Sequence, residues 1–194
     1  MKICSAFSLA LSLALCLGLA LPAAAADMGK VEATNVVSSG DRFTAFIDEN
    51  GTLWTCGSNR YGQLGIGTHG SDAGSDVPVR VMDGVVSVSC GADFAAAIKT
   101  DGSLWTWGYN GYGQLGDGTA NGSLTFIKVM DDVAQVSCGN SFTLILKTDG
   151  SVWACGTDFY SGQLGPETDS DSSLAPLKIM DDAVFIDTSD SHCA

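Results

Sequence analysis

An all-β fold built from repeated four-stranded units is what this sequence predicts, and three observations carry the prediction. One sentence recurs: NGTLWTCGSNRYGQLGIGT (50–68), DGSLWTWGYNGYGQLGDGT (101–119) and DGSVWACGTDFYSGQLGPET (149–168). Its tryptophans, Trp54, Trp105 and Trp153, fall roughly 50 residues apart, within the range of propeller and solenoid repeats. The apolar runs between them are short, alternate at strand period and are parted by turn dipeptides, with no helical period.

The first unit begins at Val36, where VVSSG leads into Phe43 to Ile47. Phe43, Ala45 and Ile47 share one face at period two. Asn50-Gly51 then joins this run to Leu53 to Gly57, a hairpin signal because both central residues of a type I′ turn need positive φ. The second unit repeats the plan through Phe94, Ala96, Ile98 and Asp101-Gly102, and the third through Phe142, Leu144, Leu146 and Asp149-Gly150. Each unit also carries a run ending in Met-Asp, namely VPVRVM (77–82), FIKVM (126–130) and PLKIM (176–180). A valine-rich run follows each of them: Val85 to Cys90, Val133 to Cys138 and Val184 to Asp187. Four short antiparallel strands per repeat make the blades of a β-propeller. The repeats lie near 36–84, 85–132 and 133–182, with a truncated fourth from 183: about three blades plus one strand, a partial propeller. Its last strand, over Val184 to Ile186, is apolar, so self-association through open ends is expected.

Lys2, an apolar run from Ile3 to Leu21 and the alanines before Asp27 describe a secretory signal peptide over 1–26, leaving a single domain over 27–194. An uncleaved anchor is the rival, since about twenty apolar residues span a bilayer. After cleavage no membrane association is expected, and the location is secreted, cell-surface or periplasmic. The whole chain carries a formal charge of −13, and losing Lys2 makes it more acidic. Phosphate backbones are bound by neutralising Lys and Arg, so a nucleic-acid partner is disfavoured. Of seven cysteines, Cys4 and Cys16 leave with the signal, and the remaining odd number implies a free or intermolecular thiol. Equivalent positions on neighbouring blades diverge, so no disulfide that the fold depends on is expected. Cys90–Cys138 is the one pair held in reserve. No CxxC spacing exists, and His69 and His192 are the only histidines, which argues against a zinc site.

The pattern V-S-C-G…F…L-K-T-D-G-S-L-W…G…G-Q-L-G-D-G-T resembles the regulator of chromosome condensation repeat over nearly the whole mature chain. The resemblance implies a β-propeller, commonly of seven blades, and the chain looks like an exported bacterial-type member with an incomplete ring. The family includes a nuclear exchange factor for a small GTPase and exported bacterial proteins, among them a β-lactamase inhibitor. Many of its repeats carry histidine where this chain has Phe43, Phe94 and Phe142; only His192 keeps it. The exchange factor inserts a protruding hairpin, and no insertion here is long enough to supply one.

The candidate residues sort by position. Trp54, Trp105 and Trp153 sit on strand faces and are expected to pack between blades. Gln63, Gln114 and Gln163 lie in the glycine loops, where a buried amide satisfies backbone groups. Tyr61, Tyr112 and Tyr160 precede the GQLG glycine on loops and are the candidate partner-binding residues; shielding of blade edges is their alternative. Asp72 with Asp76, and Asp169 with Asp171, lack the glycine and glutamate spacing of a calcium loop. No nucleophile elbow, phosphate loop or catalytic carboxylate pair stands out, so no catalytic, cofactor or metal residue is assigned. The function expected is an exported, non-enzymatic module that binds a protein through its loop face. The alternatives are a cell-surface enzyme or enzyme inhibitor and, by family resemblance alone, a guanine-nucleotide exchange factor.

Overall fold

A computed structural model describes residues 36–157 and 172–188. The signal segment and the positions Tyr160, Gln163, Asp169, Asp171 and His192 lie outside them.

Twelve strands are described, in three blades. The first holds β1 (Val37–Ser39), β2 (Phe43–Ile47), β3 (Leu53–Gly57) and β4 (Ser75–Met82). The second holds β5 (Val85–Cys90), β6 (Phe94–Lys99), β7 (Leu104–Gly108) and β8 (Ser123–Met130). The third holds β9 (Val133–Cys138), β10 (Phe142–Lys147), β11 (Val152–Thr157) and β12 (Ser172–Met180). Each sheet is an antiparallel meander in chain order. β4, β8 and β12 start earlier than their apolar runs suggest. A serine at the start of each bonds the carbonyl two residues on (Ser75, Ser123 and Ser173), which satisfies polar residues inside the strand. Pro78 and Pro176 fit because these outermost strands leave one edge unpaired.

Alternation within the middle strands sends side chains to both neighbours. Phe43, Ala45 and Ile47 meet Val88, Ala95, Ala97 and Trp107 of the second blade. Phe94, Ala96 and Ile98 meet Val133, Val136 and Ile145 of the third. The core therefore lies between blades, and burying one apolar side chain there contributes about 1.5–3 kcal/mol. Backbone clasps repeat beside it: Val85 N–H donates to Gly51 O (2.9 Å), Val133 N–H to Gly102 O (3.0 Å) and Ala183 N–H to Gly150 O (3.0 Å).

β1, β5 and β9 line a polar pocket of about 310 Å³ together with Asp187 and Thr188. Ser38 Oγ accepts from Cys90 N–H and Ser89 Oγ from Cys138 N–H, each at 2.9 Å, and Ser137 Oγ meets Thr188 Oγ1 at 2.9 Å.

One expectation needs correction. Val184 to Ile186 form no strand; Val184 and Phe185 are exposed, while Ile186 is buried on the third blade. The Gln135 amide replaces a ladder there, donating to Ile186 O (2.6 Å) and accepting from Ile186 N–H (3.1 Å). Trp54, Trp105 and Trp153 are half-buried, and Trp153 packs against the core between the second and third blades. Their indole N–H groups turn to the hairpins, donating to Asp48 Oδ2, Ser103 Oγ and Ser151 Oγ. Cys56 is disulfide-bonded. Cys90 and Cys138 are buried free thiols, so the pair held in reserve is not formed.

Candidate functional site

Pairing Phe43 with Gly57 and Phe94 with Gly108 puts the β1–β2, β3–β4, β5–β6 and β7–β8 loops at one end of the blades. The tight hairpins occupy the other end.

The glycine loops are built rigidly. Asn59 Oδ1 accepts from Leu64 N–H (3.0 Å) and Asn110 Oδ1 from Leu115 N–H (2.9 Å). The Asn110 amide nitrogen donates to Asp117 Oδ1, Thr119 O and Asn121 O, closing its loop. Gln63 Oε1 accepts from Tyr61 N–H (2.9 Å) and Gln114 Oε1 from Tyr112 N–H (3.0 Å), so each buried amide fixes the backbone of a tyrosine. Gln63 Nε2 also donates to Asp93 Oδ1 of the next blade at 2.9 Å. Burial, then Asp41, pushes the Asp93 carboxyl above its ordinary value against Arg42 and Arg60. Each loop seats on the next blade. At Gly113 (φ 82°) a Cβ would lie 2.6 Å from both Leu174 Cα and Ser173 O, so only glycine allows the approach.

On this base stands a tyrosine cluster. The Tyr61 and Tyr109 ring centroids are 5.1 Å apart, and those of Tyr109 and Tyr112 are 6.1 Å apart. Both pairs are inclined, the geometry that ring quadrupoles favour. Tyr61 is 37% exposed and Tyr112 36%, with half-buried Tyr109 between them. Burial, followed by Tyr112 and Tyr61, raises the Tyr109 phenol above its ordinary value. Tyr109 lies over Gly111, where a Cβ would come 2.2 Å from its hydroxyl. The Arg60 guanidinium sits 5.5 Å above the Tyr61 ring, within cation–π range.

Two of the three sequence-selected tyrosines are thus brought together across a blade boundary, and Tyr160 lies outside the described residues. Tyr109 escaped sequence reasoning because Ser58 and Thr157 hold its place in the other units. The signal available was its lone aromatic between two recurring tyrosines. Asp72 and Asp76 are exposed, and Asp76 belongs to β4.

Comparison with known proteins follows the same units. Family models described as the regulator of chromosome condensation (RCC1) repeat match residues 50–98 and 101–146, and 36–63, 85–114 and 133–163. Human E3 ubiquitin-protein ligase HERC2 is 40% identical over 85 residues, covering 42% of this chain and 2% of that protein. Serine/threonine-protein kinase Nek9 of Xenopus laevis is 41% identical over 81 residues, covering 41% of this chain and 9% of that protein. The chain therefore spans under a tenth of these relatives. The crystal structure of Prp20p from Saccharomyces cerevisiae superposes with a TM-score of 0.64 at 20% identity, covering 78% of this chain and 40% of that one. That likeness shows the fold. The repeat matches extend over well over half of the sequence, and the chain belongs to the regulator of chromosome condensation (RCC1) repeat family.

Proposed function

We propose that this chain is an exported, non-enzymatic propeller-repeat module that binds another protein through its loop face. The Tyr61–Tyr109–Tyr112 platform carries the reading. Its outer rings, Tyr61 and Tyr112, are exposed, while the backbone beneath them is fixed by Gln63 and Gln114. Rigid tyrosines offer large contact area at small entropic cost, which favours them at interfaces. The relatives support a recruiting role, since similar repeats accompany a ubiquitin ligase and a kinase. Export is supported by the signal-like residues 1–26 and by the bonded Cys56, which suits an oxidising compartment. Self-association belongs to the same proposal, because Val184 (94% exposed) and Phe185 (65%) put apolar side chains in solvent.

The test is affinity capture from a cell-surface extract, comparing the chain with its Tyr61→Ala/Tyr112→Ala variant at equal melting temperature. A protein retained by the first and lost from the second supports the proposal. Equal retention by both contradicts it.

A further inference from the structure

The described cations divide sharply between the two ends of the blades. At the hairpin end Arg80, Lys128, Lys147 and Lys178 are each paired with an aspartate, and Lys99 lies 5.9 Å over the Trp105 ring. At the loop end stand Arg42 and Arg60, both exposed, and neither has a carboxylate within ion-pair distance among the described residues. Both act on Asp93 through space without forming an ion pair with it, and Gln63 holds its Oδ1, so neither guanidinium is held by that carboxylate. The free arginines therefore flank the same blade boundary that carries the tyrosine cluster.

We propose that this boundary is a single docking site for an extended acidic segment of a partner protein. The inference rests on the protein-binding reading above and adds the chemistry of the partner. Arginine presents a planar fork of donors that matches a carboxylate, and it does so without giving up contact with an aromatic face. Arg60, already over Tyr61, is placed for both. The tyrosine rings then supply the flat surface on which the apolar parts of the segment lie.

The site is built once. In place of Tyr109 and Gly111 the first unit has Ser58 and Arg60, and neither free arginine recurs at the matching positions, 93 and 111, of the second unit. A partner reading these residues is thus fixed at one boundary rather than shared among repeats. Charge also selects the class of ligand. A chain of net charge −13 repels a long polyanion. A short carboxylate segment senses chiefly nearby charges at ordinary salt, and at this boundary both arginines stand with Asp41 and Asp93, so the segment is selected by direct contact with the guanidinium groups and not by an excess of positive charge.

Fluorescence anisotropy on the whole chain tests this, with a short labelled Glu-Pro-Phe repeat peptide as probe and its Lys-Pro-Phe counterpart as control. The acidic peptide should bind more tightly, and more weakly as salt rises. Arg60→Ala and Arg42→Ala should each weaken it about tenfold, near 1.4 kcal/mol. Gly111→Ala, which crowds Tyr109 without touching an arginine, should weaken it as well, and Lys128→Ala on the hairpin end should not. Equal binding of both peptides, or no loss in either arginine variant, overturns the proposal. Absence of any binding also overturns the acidic-segment assignment. It leaves protein binding itself to the tyrosine variant in the capture experiment, so the two failures are distinguishable.

Discussion

The Trp107 indole N–H donates to the Gln63 carbonyl oxygen at 2.8 Å, tying β7 of the second blade to the glycine loop of the first. In the third blade Cys155 takes the same place, its thiol 3.6 Å from the Gln114 carbonyl oxygen. Trp107 is fully buried and packs edge-on to Phe126 at 4.9 Å. Trp107→Phe should cost about 1–3 kcal/mol by leaving that carbonyl unsatisfied. Trp105→Phe should cost less, because its hairpin bond lies at a half-exposed site. Chemical denaturation compares the two, and equal losses would contradict the assignment.

Gly113 carries the second prediction. Alanine there must adopt φ near 82° and meet Leu174 Cα. A left-handed alanine costs about 1–2 kcal/mol and the overpacking about 1–3 more. Gly118→Ala shares the positive φ (82°) but has open space, so it should cost only the first part. Denaturation midpoints of the two variants test the difference.

The contrast shows what the sequence made legible. Strand pattern and the turns at Asn50-Gly51, Asp101-Gly102 and Asp149-Gly150 are local signals, and the hairpins follow them. Trp107 and Tyr109 were not legible, because cysteine or small polar residues occupy their places in the other units. Pattern reading weights what recurs, whereas these two act across a blade boundary by filling space once. The repeated tryptophans were legible only in part. Period two identifies a face, but not where an indole N–H finds its acceptor. Ile186 was placed in a strand because its neighbours are apolar; its backbone is in fact held by the side chain of Gln135.

The thiols divide by environment. Burial pushes Cys90 and Cys138 up to about 12 and raises Cys155 as well. A thiolate is the reactive form, so all three should resist alkylation in the native protein and react on denaturation. Non-reducing peptide mapping should recover Cys56 in a disulfide. Rapid native labelling of Cys138 would contradict this account.

Acid should act in two directions. Hydrogen bonds from Trp54, Ser103 and Ser151 hold Asp48, Asp101 and Asp149 below their ordinary value. Their stabilisation is present above the unfolded carboxylate value and is lost as pH falls through the lower folded one. Asp93 is raised, so its ionisation opposes folding, and its contribution worsens as pH rises from the unfolded value through the folded one. Asp93→Asn keeps an acceptor for Gln63 and should melt at or above the parent at neutral pH. Asp101→Asn should melt below it there and match it in strong acid. Melting curves across pH decide both signs.

The most direct measurement is site-specific photocrosslinking in the cells that make this protein. A photoreactive phenylalanine analogue replaces Tyr112 on the loop face or, in a separate variant, Lys128 on the hairpin end. The account predicts that position 112 captures a defined protein partner and that position 128 does not. It also predicts that Tyr61→Ala weakens the capture by more than about 1 kcal/mol in binding, the usual threshold of an interface contact that matters. Capture from position 128 alone, or from neither position, would contradict the assignment of the loop face as the binding surface.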